Sequence, residues 1–234
     1  MDVTSINLRI KKQDSMGLYY GTMGKGLYWL MERRFFGCSL ALSLMLFALN
    51  SCSFKEPAVL LKMSPLPDGG RICQVAVLPF ANQTRYSVGG PLMTKVFTSE
   101  MIKTGGGMIV AHEGDVRKVL MQLRVLPGQT PTIDKLKALA DRIGVQLVII
   151  GEVMEMRDKD RYGRILDPVL AVVVRIVDAD SGRTLWTTYL RREGKNYQKI
   201  MHWGLESTIT GLSQRVTREI ISAWRDGGLQ KCEK

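Results

Sequence analysis

Four cysteines and two histidines are the residues of this 234-residue chain best suited to covalent or metal chemistry. The histidines stand alone. His112 and His202 are accompanied by no His-Glu-x-x-His pair, no Ser/His/acid order and no Cys-x-x-Cys spacing, so metal ligation and nucleophilic catalysis lack a set of residues to carry them. Both read as surface or capping residues. Gly105–Gly107 is not followed by Lys-Ser/Thr and reads as a turn, not a phosphate cradle. The expectation is a protein that is not an enzyme, with no metal, no cofactor and no small-molecule substrate. The cysteines differ in context. Cys38 lies inside an apolar run, and Cys52 follows Leu49-Asn50-Ser51 directly. Cys73 and Cys232 flank most of the remaining chain, one before its first strand pattern and one after its last helix pattern. An oxidising compartment would permit a bridge between them. Spacing alone does not say whether their Cα atoms come within bonding range, and two free thiols is the alternative.

The context of Cys52 is ordered. Arg33-Arg34 precede Phe35–Leu49, a 15-residue apolar run without a charge, and small and polar residues lead into the cysteine. This order resembles a bacterial lipoprotein export signal: a positive n-region, a short h-region and a lipobox. The resemblance implies that residues 31–51 are removed. Cys52 then becomes residue one of the mature chain and carries diacylglycerol and an N-acyl chain. A membrane-spanning helix needs ~20 apolar residues, so the run is short for a span. Ser53, where aspartate would signal retention in the inner membrane, implies delivery to the periplasmic face of the outer membrane. Residues 1–30 are polar and lack a steady period. They read as an unstructured upstream extension, with translation expected to begin at Met31 or Met23.

Composition bounds the rest. Six of the 33 Lys/Arg and three of the 22 Asp/Glu lie in residues 1–51, leaving 27 against 19, or +8, in the mature part. A basic exported protein meets lipid surfaces, glycans and proteins rather than nucleic acid, although modest charge also serves solubility alone. Residues 52–71, with Pro57, Pro65, Pro67 and Gly69-Gly70, read as the lipidated N-terminus and a flexible tether. The 19 residues from Ser53 to Arg71 reach at most ~65 Å.

Residues 72–228 carry the periodic patterns of one domain, with 229–234 as a tail. Gln74–Phe80 reads as a buried strand. Gly89-Gly90-Pro91 open a helix, with Pro91 in its first turn, and Thr104–Gly107 end it. Met108–Ala111 is a brief strand. Val116, Val119, Leu120 and Leu123 line a helix. Thr132 caps another, lined by Leu136, Leu139, Ala140 and Ile143 and ended by Gly144. Gln146–Met156 is a third strand, apolar enough to be covered on both faces. Asp158–Asp167 reads as a charged loop. Val169–Asp178 and Arg183–Arg192 form a hairpin across Asp178–Gly182. A long helix follows from about Tyr197 to Arg225. The order β-α-β-α-α-β-β-β-α predicts an α/β fold. Its single three-layer domain has a mixed, about five-stranded sheet flanked by helices, and right-handed crossovers make the first strands parallel.

Four segments in this order resemble the CsgG-like and LpoB-like lipoprotein superfamily, similar in turn to the N-terminal domain of TolB. They are Val75–Asn82, Ala138–Gly144, Leu147–Glu152 and Arg175–Trp186. The resemblance implies a non-catalytic periplasmic domain that is either an activator docking on a peptidoglycan synthase or a subunit of a secretion channel. A channel hairpin needs upwards of ~20 residues. Only eleven residues, seven of them charged, separate Met156 from Pro168, which favours the docking role. The expected partners are the membrane, through the lipid anchor, and an envelope protein or further copies of the chain. Strands one, three and five should finish at one edge of the sheet. There they would gather Arg85, Arg157, Lys159, Arg161, Arg164, Arg191, Arg192 and Lys195 as a partner-binding rim, diluted by Asp158, Asp160, Asp167 and Glu193. The alternative is a solvated rim of mixed charge.

Overall fold

Leu147–Lys159 (β5), Ile165–Asp178 (β6) and Thr184–Glu193 (β7) are long runs rich in Val, Ile, Leu and Thr. They pair antiparallel in sequence order, as β-branched residues on a half-buried pleat favour. In this computed structural model the described residues are 59–62, 73–159, 162–199 and 201–229. The other strands are Val59–Lys62 (β1), Gln74–Val77 (β2), Ala81–Asn82 (β3) and Ile109–Val110 (β4). The helices are Gly89–Thr104 (α1), Glu113–Gln122 (α2), Ile133–Ile143 (α3) and Ile209–Asp226 (α4), with a 3-10 turn at Gly194–Tyr197. The sheet runs β1-β7-β6-β5-β2-β4, with β3 continuing beside β5. β2 lies parallel to both β4 and β5, and every contact from β5 to β1 is antiparallel. The domain is α/β with a mixed sheet, as expected.

Helices cover both faces. On one, Val75, Val77, Ile149, Val172, Val174 and Ile176 pack on Met93, Phe97 and Met101 of α1 and on Leu212, Val216, Ile220 and Trp224 of α4. Trp224 Nε1–H donates to Thr188 Oγ1 at 2.7 Å in the buried interior, pinning α4 to β7. On the other face Ala76, Leu78, Val148 and Ile150 pack on Val116, Val119 and Leu120 of α2 and on Leu136, Leu139 and Ala140 of α3. α2 and α3 cover only part of that face, and Met154 and Tyr189 remain exposed.

The elements differ from the sequence reading in four places. Val59–Lys62, inside the stretch read as a flexible tether, pairs with Trp186–Tyr189 and forms the sheet edge. β3 was not expected. It forms because Pro79, which cannot donate a backbone bond, interrupts β2, and pairing resumes at Ala81↔Glu152. The charged segment after Met156 is strand at both of its ends, since β5 reaches Lys159 and β6 starts at Ile165, with a register shift between Arg157 and Lys159. α4 starts at Ile209, not near Tyr197, where Thr208 Oγ1 accepts from the Gly211 N–H. Gly204, at φ 86°, holds the preceding loop in the left-handed region.

Candidate functional site

β2, β5 and β7 do run in one direction. They do not finish level: β2 ends beside Ile149, and β5 continues ten residues to Lys159. The rim they form is largely self-neutralised. Arg191 Nε meets Glu155 at 2.9 Å and its Nη1 meets Glu193 at 3.0 Å. Arg157 also reaches Glu155, at 3.3 Å, and Lys195 reaches Glu193 at 2.7 Å. The hydrogen bonds from Lys195 and Arg191 hold the Glu193 carboxyl below the usual carboxylate range. Those from Glu155 and Glu193 raise Arg191 further. These exposed pairs are worth little individually, but they cancel much of the positive field expected there.

Arg192 does not join that rim. Neighbouring residues of a strand face opposite sides, so Arg191 is exposed while Arg192 is buried toward α4. Its Nε meets Glu219 Oε2 at 3.1 Å, and Tyr197 donates its hydroxyl to Glu219 Oε1 at 2.5 Å. Burial, and then this bond to Glu219, push the Tyr197 hydroxyl far above its ordinary pKa. Arg215 stacks 5.2 Å from the Tyr197 ring and pairs with Glu206. This buried cluster ties β7, the 3-10 turn and α4 together beneath the loop at 198–208. Arg85 is exposed on the loop after β3, and Lys159 is exposed at the end of β5. Arg164 is exposed beside Tyr162, 5.7 Å from its ring. Arg161, Cys52 and Cys232 lie outside the described residues. Cys73 is disulfide-bonded, and the other three cysteines are all outside the described residues.

Two surface features have no counterpart in the sequence pattern. The first is an apolar groove of about 1060 Å³ where β2 gives way to β3, walled by Leu120 and Met121 of α2 and by Val125, Leu126 and Pro127. Lys95, Arg117 and Arg124 stand at its margin. Met121 and Leu126 are both well exposed, and Arg124 adopts φ 54°. The groove can receive apolar side chains of a partner, and Lys95 and Arg124 offer it cations, while Arg117 is paired with Glu113 of the same wall at 2.9 Å. The second is the end of the sheet beyond Glu193, where Tyr162, Ile165, Met201 and Trp203 are 75–83% exposed. Trp203 followed by Gly204 was the available signal, masked by an apolar spacing that let the helix read on through Leu205. His112 is the N-cap of α2, and its Nδ1 accepts from the Gly114 N–H at 3.2 Å. Thr132 occupies the N-cap of α3 without a side-chain bond. Among the described residues no group of three or more His, Cys, Asp or Glu is placed to hold a metal ion.

Several solved structures show a partial likeness to the chain. One is the PelC dodecamer from Paraburkholderia phytofirmans, at 19% identity and TM-score 0.49, covering 75% of this chain and 99% of that one. The lipoprotein GNA1162 from Neisseria meningitidis matches at 18% identity and TM-score 0.43, covering 66% and 99%. The LpoB C-terminal domain from Salmonella enterica matches at 16% and 0.40, covering 53% and 86%. No family model matches the chain, and neither does any curated protein. All three scores lie below 0.5, so the functional reading rests on this chain's own residues.

Proposed function

We propose that this chain is a non-catalytic lipoprotein of the bacterial envelope. Acylated Cys52 holds it at the periplasmic face of the outer membrane, and its α/β domain acts by docking on an envelope protein. The observation that carries the reading is Cys52 itself, set directly behind Arg33-Arg34 and the apolar run Phe35–Leu49. The folded domain begins close behind it, because β1 starts at Val59. The groove beside α2 supplies a concave apolar surface for a partner segment. The finer role is that of an LpoB-like regulator of a peptidoglycan synthase or a similar accessory factor.

A secretion-channel subunit is the second reading. The β5–β6 ribbon weighs against it. Past the last β6–β7 pair, Val169↔Glu193, β6 extends only four residues, to Ile165, whereas a barrel strand needs ~9–11. Cys73 is further proposed to bridge Cys232, consistent with an oxidising compartment.

Palmitate labelling of cells expressing wild type and Cys52→Ala tests the anchor. Label in wild type that vanishes in the variant is expected, and equal labelling of the two contradicts it. Crosslinking in intact cells from Met121 and Leu126 then identifies the docked protein. Crosslinks from Tyr189 in place of these two would move the docking surface off the groove.

A further inference from the structure

The open end of the sheet displays side chains that folded domains usually withdraw from water. Ile165 is 81% exposed, Met201 83% and Trp203 82%. They come from two separate segments, the β5–β6 hairpin and the loop before α4. Both segments leave the domain where β7 finishes. The hairpin continues past the Val169↔Glu193 pair. The loop is fastened at its base, where the Glu206 N–H donates to Gly194 O at 3.3 Å and the Lys199 N–H donates to Trp203 O at 2.8 Å. The loop is therefore a built feature and not a stray tail. Gly204 adopts φ 86°, and a Cβ there would stand 2.4 Å from Tyr197 O. The cluster of Arg192, Glu219 and Tyr197 holds the ground beneath it.

β1 says which way this end faces. It is antiparallel to β7, with Val59 opposite Tyr189 and Lys62 opposite Trp186. β7 runs from Thr184 to Glu193, so the chain enters β1 from the end that carries Ile165 and Trp203. Seven steps of chain separate Cys52 from Val59, a reach of at most ~25 Å. With Cys52 acylated, as proposed above, this end of the sheet is the one held against the bilayer. Trp and Tyr favour the lipid–water interface, and aliphatic side chains favour the layer beneath it. Lys159 and Lys199 are exposed at the same end and make no ion pair among the described residues. They suit anionic headgroups. The rim pairs around Glu155 and Glu193 leave little net field, so the apolar contacts dominate.

We infer that the end of the sheet bearing Tyr162, Ile165, Met201 and Trp203 is a second, non-covalent membrane contact that seats the domain on a phospholipid surface. The inference rests on acylation of Cys52 for its orientation, and the test separates the two. Trp186 and Trp224 are fully buried, so Trp203 is the exposed indole among the described tryptophans. The full mature protein is purified from envelopes and mixed with phosphatidylethanolamine/phosphatidylglycerol vesicles, with and without brominated acyl chains. Quenching and a blue shift of the red-edge emission by the brominated vesicles are expected. In Trp203→Phe that component is lost, and in Ile165→Glu the quenching falls severalfold, while the buried-tryptophan emission of both reports intact folding. Vesicle-bound protein whose red-edge emission is unquenched overturns the inference and leaves the acyl anchor standing. Quenching with a Cys52 that carries no lipid supports the surface and removes the anchor. Trp203 crosslinked to an envelope protein in cells, without quenching by lipid, also overturns it.

Discussion

The two ends of the sheet are built on opposite principles. At the β6–β7 turn, Asp178 accepts from the Ser181 backbone N–H and the Gly182 N–H bonds Asp178 O, while Ala179 is tied to Gln146 O at 2.9 Å. Gly182 sits against Ile133 of α3. Polar groups are paired, and the turn is packed on a helix. At the other end, Arg192, Glu219 and Tyr197 tie the root together, and the tips carry exposed aromatic and aliphatic side chains. A domain packed to the tip at one end can leave the tips of the other free to make contacts. The sheet spans both, so rigid strands carry the open end.

Substitution should expose that division of labour. The largest expected effect is at the closed end. Gly182→Val places a β-branched residue at φ 70°, with its Cβ 2.4 Å from Ile133 Cγ2. A loss of about 2–4 kcal/mol is expected in urea unfolding, and a loss below about 0.5 kcal/mol would show that the turn is not packed as described. At the root of the open end, Glu219→Ala removes the carboxylate shared by the buried Arg192 and Tyr197 and should lose about 3 kcal/mol. Its effect should fall short of Gly182→Val in thermal melts.

In the body between the ends, Arg218 Nε meets the buried Glu100 Oε2 at 2.9 Å, joining α4 to α1. The Arg218 hydrogen bond, followed by its charge and that of Lys103, outweighs burial and lowers the Glu100 carboxyl. A carboxylate with a depressed folded pKa adds stability above its unfolded value and loses it as pH falls through the folded value. Wild type should therefore weaken more steeply below about pH 4.5 than Glu100→Gln. Parallel pH slopes for the two proteins would contradict the assignment. Thr217 Oγ1 is buried without a hydrogen-bond partner, so Thr217→Val should be neutral or stabilise by up to about 1 kcal/mol. Smallest of all, Ile165→Ser at the open end should change folding stability by less than about 0.5 kcal/mol, because its side chain is exposed.

Legibility in the sequence followed the same line. The packed parts declared themselves through period and caps. α3 was readable from Leu136, Leu139 and Ala140, and Gly144 ends it at φ 78°. β5, β6 and β7 were readable from their apolar runs. Short strands without a pattern were not: β1 and β3 have four and two residues and owe their pairing to neighbours distant in sequence. The sequence hides the start of α4, because Leu205 continues the helical spacing, whereas Gly204 and the Thr208 cap decide where the helix begins. The cationic rim was half visible. A sequence shows arginines in order, but not that Glu155 lies between Arg157 and Arg191, nor that Arg192 turns inward onto Glu219. The groove beside α2 depends on the meeting of β3, α2 and the following loop, and no local pattern encodes it.

The anchor at Cys52 gives the open end its orientation, and one mass measurement addresses it. Tryptic digestion of the protein recovered from bacterial envelopes should yield Cys52-Ser53-Phe54-Lys55 as the N-terminal peptide. Its mass should exceed the bare peptide by a diacylglycerol and an amide-linked acyl chain. An unmodified Cys52 inside a longer peptide, from a chain that retains Phe35–Leu49, would contradict the proposed function.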